Sequence, residues 1–174
     1  MTQITIFRNI KDTNAPFYRD VEVILDRIKQ GASKELIKKI RSEKNKKLRQ
    51  ELKAQLPAIC FSGLFTKRND TSIREHSGLI CLDFDGYEAR KDLLQDKEKF
   101  TKNNYVYSVF ISPSGKGLKV LVKIPQDVDN HVHYFNSLRN HFNNDKFDVT
   151  SKNVSRVCYE SYDALIYVNE NSSV

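Results

Sequence analysis

The chain has 174 residues, with 29 Lys and Arg against 22 Asp and Glu, and a formal charge of +7 at pH 7. That length suits one domain with a buried core, and the basic excess favours a polyanionic partner, nucleic acid or nucleotide. No apolar run approaches the roughly 20 residues that cross a bilayer, so no membrane partner is expected. Cys60, Cys81 and Cys158 form no Cys-x-x-Cys pair, which argues against a zinc site and for reduced, buried thiols in a cytoplasmic protein without a signal peptide.

Ile4-Thr-Ile-Phe7 reads as a short strand within residues 3–10, followed by a polar turn. Residues 21–30 carry Val21, Ile24, Leu25 and Ile28 at helical spacing, with Gly31 as the stop. Ser33 suits the N-cap of a second helix holding Leu36, Ile37 and Ile40. A third, highly charged helix covers residues 45–56, with Leu48, Leu52 and Leu56 four apart, and Pro57 ends it. Residues 1–56 are thus expected to be a mainly helical region packed on a core. The basic stretch from Lys34 to Lys53 offers a surface for a nucleic-acid strand.

Residues 58–61 suit a strand, Ser62-Gly63 a turn, and the polar residues 66–75 a surface loop. After Ser77 the pattern changes: a strand at 79–82, a helix at 89–100 with Leu93, Leu94, Lys97 and Phe100, strands at 105–111 and 118–124. A helix at 128–142 follows, with Val132, Phe135, Leu138 and Phe142 on one stripe. Then come a β segment at 155–160 and an edge strand at 165–168. That order predicts an α+β fold over residues 57–168. It would be an RRM-like (split βαβ) antiparallel sheet with helices on one face and the other face free for ligand. Residues 169–174 read as a linker-like tail.

The chemistry concentrates in three places. In Gly78-Leu-Ile-Cys-Leu-Asp-Phe-Asp-Gly86, Asp83 and Asp85 are two apart on a strand end, so their Cα atoms lie roughly 6.6 Å apart on one face. Alternation puts Cys81 with them, opposite Ile80 and Leu82. If Leu118, Val120, Val122 and Ile124 face the core, Lys119 and Lys123 point toward the aspartates. Oxygen donors of this kind suit Mg²⁺ or Mn²⁺. Second, Ser112-Pro-Ser-Gly-Lys-Gly117 is longer than a minimal hairpin turn. Its glycines let successive N–H groups face one anion, with Ser114 and Lys116 adding donors. It is not a P-loop, because the Gly-x-x-x-x-Gly-Lys-Ser/Thr pattern is absent. Third, Phe147-Asp148 brings another carboxylate as the chain returns to the sheet, and Arg156, in parity with Cys158 and Glu160, suits a bidentate phosphate contact. Tyr105, Tyr107 and Phe110 are candidates for base stacking. His131 and His133, flanking Val132, and His141 are expected at the surface.

Asp83-Phe-Asp85, then Ser112-Pro-Ser-Gly-Lys-Gly-Leu-Lys119, then Phe147-Asp148 with Ser155-Arg156 resembles the three-motif order of archaeo-eukaryotic primases and primase-polymerases. More closely, residues 45–168 resemble the N-terminal domain of virulence-associated protein E-like proteins, and the 46–65 segment is similar to that domain too. The resemblance implies a metal-dependent nucleotidyltransferase acting in replication of chromosomal or mobile-element DNA. Asp83, Asp85 and Asp148 would be the catalytic metal ligands. Ser112, Ser114, Gly115, Lys116 and Gly117 would lie along a nucleoside triphosphate, with Lys119 and Arg156 neutralising its phosphates. It also implies a single-stranded DNA or RNA template and a helicase- or ATPase-like region in the same protein or in trans. The chain departs at Lys119, where primases commonly carry His; an ammonium is a point charge without the donor–acceptor geometry of a neutral imidazole. Two alternatives stand beside this. One is a nucleotide- and nucleic-acid-binding module without catalysis. The other is a haloacid-dehalogenase-like phosphatase, whose Asp-x-Asp-Gly opening is similar to Asp83–Gly86, with Asp83 as nucleophile and Asp85 as general acid.

Overall fold

The computed structural model describes residues 2–174. In chain order it forms β1 (Gln3–Phe7), β2 (Phe17–Asp20), α1 (Val21–Gln30), α2 (Lys34–Ser42) and α3 (Lys46–Lys53). The middle of the chain adds β3 (Ala58–Cys60), β4 (Gly63–Phe65), a 3₁₀ turn at Asp70–Ser72 and β5 (Ile73–His76). There follow β6 (Leu79–Asp85), α4 (Arg90–Thr101), β7 (Val106–Ile111), β8 (Gly117–Lys123) and α5 (His131–Phe142), then β9 (Cys158–Tyr159) and β10 (Tyr167–Val168). Among the described residues the fold is α+β with five α-helices and antiparallel sheets: one in the order β2-β1-β3-β9, one in the order β10-β7-β8-β6, and the β4–β5 hairpin.

Local chemistry accounts for the helices. Val21, Ile24, Leu25 and Ile28 of α1 are buried, and Gly31 ends it in the left-handed region, φ +83°, its N–H donating to the Arg27 carbonyl. Asn45 caps α3, its side-chain oxygen accepting from the N–H groups of Lys47 and Leu48. Ser33 stands at the N-cap of α2, but its hydroxyl donates to Glu160 instead of capping. Glu160, fully buried, also takes the Arg27 guanidinium at 2.7 Å.

The β10-β7-β8-β6 sheet is covered on both faces. On one, Ile80, Leu82 and Phe84 join Leu118, Val120, Val122 and Ile124 against Leu93 and Phe100 of α4 and Phe135 of α5. The Phe84 ring sits 4.5 Å from that of Phe100 and 5.2 Å from that of Phe147. On the other, Leu79, Tyr107, Phe110 and Leu121 pack against Ile4, Ile6 and Ile59 of the β2-β1-β3-β9 sheet, against Phe61 just after β3, and against α1. This corrects the expectation of a face free for ligand. Four apolar side chains on that face need cover, and the N-terminal strands present an apolar surface that supplies it. Tyr107 and Phe110 are consequently buried and unavailable for base stacking, whereas Tyr105 is exposed and packs edge-on against His141.

Other assignments shift as well. Residues 1–56 contain three helices, but also β1 and β2, and β1 is paired to β3. The 155–160 segment pairs through β9 with β3 and does not join β6. The outer edge of β6 is taken by Phe147, bridged to Phe84, with Asp85 N–H donating to the Lys146 carbonyl and Asp148 N–H to the Asp83 carbonyl, both at 2.8 Å. Residues 66–75, expected as a loop, supply most of β5 and the connection to it. His131 is buried against His76: His76 Nε2 lies 3.0 Å from His131 Nδ1, while its Nδ1 accepts from the Gly78 N–H. Burial lowers the pKa of both rings, that of His131 to about 4. His133 and His141 are exposed.

Lys97, expected on neighbouring turns with Leu93, Leu94 and Phe100, is buried because its ammonium is paired. It donates to Asp163 at 2.6 Å and to the Leu165 carbonyl at 2.7 Å, and Asp163 also accepts the Ile111 and Leu165 N–H groups. This network ties the 160–166 return to α4 and to the end of β7. Lys97→Met strands the Asp163 carboxylate in the interior and is expected to lower stability by about 3–5 kcal/mol in urea unfolding.

Candidate functional site

The β6–β8 register builds the centre of the site. It sets Asp83 opposite Lys119 and Asp85 opposite Gly117. Asp85 has room because Gly117 has no side chain: a Cβ there would collide with Asp85 Oδ1 and lie 2.8 Å from the Phe84 carbonyl oxygen. The expected parity holds, since Leu118, Val120, Val122 and Ile124 lie in the core beneath the helices while Lys119 turns to the aspartates. Asp148 arrives on the segment bridged to β6. Asp83, Asp85 and Asp148 each present an oxygen within 4.8 Å of the others, an arrangement of donors that can hold a hard divalent cation.

The charges are unevenly balanced. Lys119 is salt-bridged to Asp83, and both side chains are largely shielded. Burial works against the Lys119 charge, yet Asp83 overcomes it and holds the ammonium well above the usual lysine range. Asp85 accepts no side-chain hydrogen bond among the described residues. Burial raises its pKa, and Asp83 and Asp148 push the same way against Lys119 and Lys53. Asp148 is oriented by Thr150, whose N–H and hydroxyl donate to its Oδ1 at 2.9 and 2.8 Å.

The Ser112–Gly117 loop lies alongside. Gly115 adopts φ +74°, the Ser112 and Ser114 hydroxyls are 3.1 Å apart, and Lys116 is exposed. Arg156 is placed differently from a free phosphate ligand: its Nη2 donates to the Thr150 carbonyl at 2.5 Å, and its Nε is buried without a protein partner. Through Thr150 it braces the loop that carries Asp148. Asp70 braces the same stretch from the other side, accepting from Ser155 N–H and hydroxyl at 2.9 and 2.6 Å. The structure therefore brings Asp83, Asp85, Asp148 and Lys119 together with the loop at their side, and leaves Lys123 apart, bonded to the Glu170 and Ser172 carbonyls.

Four contributors escape a reading of the sequence. Asp70 lies in a polar stretch, and Thr150 has only its Asx-turn spacing to Asp148 as a signal. Arg41 and Lys53 belong to basic helices that look uniformly solvated, yet Arg41 reaches the Ser112 carbonyl at 3.2 Å and Lys53 acts on the Asp85 charge.

In comparisons with known proteins, the family model described as BT4734-like, N-terminal domain matches residues 51–167. No curated protein and no solved structure matches the chain.

Because its carboxyl is held above the ordinary Asp value, the folded protein keeps the Asp85 proton to higher pH than the unfolded chain does. Stability from this group is thus lost as pH rises through that interval. Asp85→Asn is expected to raise the melting temperature in chelator at pH 7.5, with the gain shrinking toward pH 4, as followed by thermal denaturation across pH.

Proposed function

The chain belongs to the BT4734-like N-terminal domain family, and we propose that its acidic cluster serves a primase-polymerase-like nucleotidyltransferase. The observation that carries this reading is the convergence of Asp83, Asp85 and Asp148, far apart in sequence, on one point beside a hydroxyl- and glycine-bearing loop. The element order β6-α4-β7-β8-α5, with neighbours β7-β8-β6 and residues 146–148 on the outer edge of β6, supports an RRM-like reading of this half. On this reading the domain is akin to those of virulence-associated protein E-like proteins. Its partners are a nucleoside triphosphate and a single-stranded DNA or RNA template, in replication that also engages a helicase- or ATPase-like region.

Three carboxylates against one directly paired cation fit Mg²⁺ or Mn²⁺, with Asp83, Asp85 and Asp148 as the residues that would hold it. Bound there, divalent cations supply charge neutralisation for an attacking 3′-oxygen and a departing pyrophosphate. The chain's own groups divide the remaining work. Ser112 and Ser114 offer hydroxyl donors to the phosphates, Lys119 holds Asp83 in place by its salt bridge, and Thr150 aims Asp148. The phosphatase reading loses support, because β6 pairs antiparallel with β8 whereas that mechanism belongs to a parallel sheet of alternating strands and helices. The binding-module reading draws on one observation: Lys119 is engaged with Asp83 and not directed to a ligand.

The test is Mn²⁺-dependent nucleotide binding and incorporation, compared between the unmodified chain and Asp83→Asn/Asp85→Asn. Binding and incorporation that both vanish in the double variant support the enzyme. Chelator-resistant nucleic-acid binding without incorporation supports the module, and nucleotide binding unchanged in the variant removes the site.

A further inference from the structure

We propose that His76 and His131 form a latch that holds the 150–156 segment, and through it Asp148, in place while both rings are neutral, and that opens in mild acid. What this means for Asp148 rests on the metal-site reading above; the latch itself rests on hydrogen-bond geometry.

The pair joins parts of the chain that no sheet connects. His76 ends β5, in a hairpin that belongs to neither four-stranded sheet, and His131 is the first residue of α5. Both rings are buried, 4% and 3% exposed, and they meet edge-on with centroids 5.2 Å apart. α5 has no side-chain cap, because Asn130 turns its amide to Asp127 at 2.7 Å instead. The His131 ring therefore fastens that end of the helix.

The bonds fix where each proton lies. Gly78 N–H donates to His76 Nδ1 at 3.0 Å, so that nitrogen carries a lone pair and the neutral ring holds its proton on Nε2. Nε2–H then donates to His131 Nδ1, 3.0 Å away, and His131 keeps its own proton on Nε2. An added proton must go to a nitrogen that already accepts a bond. On His76 it would oppose the Gly78 N–H, and on His131 it would oppose the Nε2–H of His76. Protonation and the latch are mutually exclusive, whichever ring takes the charge. A cation on His131 would also stand at a helix N-terminus, where the dipole disfavours it. Two carboxylates act on the rings, Asp127 on His76 and Asp70 on His131, without reversing the balance. Burial holds both rings below the ordinary imidazole value, His131 at about 4.

A void of about 10 Å³ connects the latch to the support of the acidic cluster. His131 borders it together with Cys81 of β6 and with Ser151, Asn153, Val154 and Arg156. From that wall Ser151 donates to the Asp148 carbonyl at 3.0 Å, and Arg156 donates to the carbonyl of Thr150, which holds Asp148 Oδ1. Asp70 holds Asn153 and Ser155 of the same stretch. Displacing His131 removes one wall of this packing. In the opened state the rings meet water and take up protons near 6.5. The latched state binds fewer, so the latch is closed above that pH and weakens as pH falls toward about 4. Between pH 7.5 and 5.0 His131 alone shifts the opening equilibrium about thirtyfold, and His76 adds to it.

The experiment follows amide hydrogen exchange in the metal-free full chain from pH 7.5 to 5.0, corrected for intrinsic rates, beside NMR of the imidazole nitrogens. Protection at residues 131–135 and 150–156 is expected to fall about thirtyfold or more, while β7 and β8 hold theirs. His131→Asn, whose amide oxygen can still accept from His76 Nε2, should lose the share that His131 contributes. His76→Asn/His131→Asn should show no such pH dependence. In the unmodified chain at pH 7.5 both rings should carry their proton on Nε2. A His131 ring that titrates near 6.5 in the folded chain, or carries its proton on Nδ1, overturns the latch without recourse to a variant. So does protection at 150–156 that falls equally in the double variant, or that holds while 131–135 opens. No metal enters these measurements, so their failure leaves the metal-site reading standing, and failure of the Mn²⁺ test above leaves the latch standing.

Discussion

The antiparallel register between β6 and β8 is the constraint on which the site depends. It places an ammonium opposite Asp83 and a residue without a side chain opposite Asp85. A slip of one residue would send both carboxylates into the core beneath the helices, where Phe84 and Leu82 now sit. Two ionised carboxylates within 4.8 Å of each other repel by about 3.5 kcal/mol or more at an effective dielectric of 20. Lys119 offsets part of that for Asp83, while the Asp85 pKa is raised chiefly by desolvation, with Asp83 and Asp148 adding to it.

The N-terminal part acts through burial first and charge second. The family match begins at residue 51, yet Ile4, Ile6 and the apolar face of α1 lie before it and cover Leu79, Tyr107, Phe110 and Leu121. Without them, the β10-β7-β8-β6 sheet would expose a broad apolar face to water. The same packing carries α2 and α3 to the edge of the site, so a structural cover also delivers basic side chains beside the loop.

The third carboxylate is set by a chain of hydrogen bonds. Asp70 holds Ser155, the neighbouring Arg156 holds Thr150, and Thr150 holds Asp148. The link from Asp70 joins residues far apart in sequence, whereas those through Thr150 are local turns of the same loop. The family match spans all of it, from the β4–β5 connection to the return after α5. The acidic cluster is therefore joined to elements that carry none of its three acids.

Alternation and helical spacing alone were enough to mark β6, β8 and α1, and to turn Asp83, Asp85 and Lys119 toward one side, because a strand's period of two and a helix's 3.6 are properties of the backbone. They did not reveal that β9 leaves the sheet of β6 for that of β3, or that Tyr107 and Phe110 lie inside. Which strand pairs with which, and which apolar face meets which, depends on free energies summed over residues far apart in the chain. The meeting of Asp148 with β6, the burial of His131 against His76 and the reach of Arg41 to Ser112 are of that second kind. They are contacts between segments, and no local pattern encodes them.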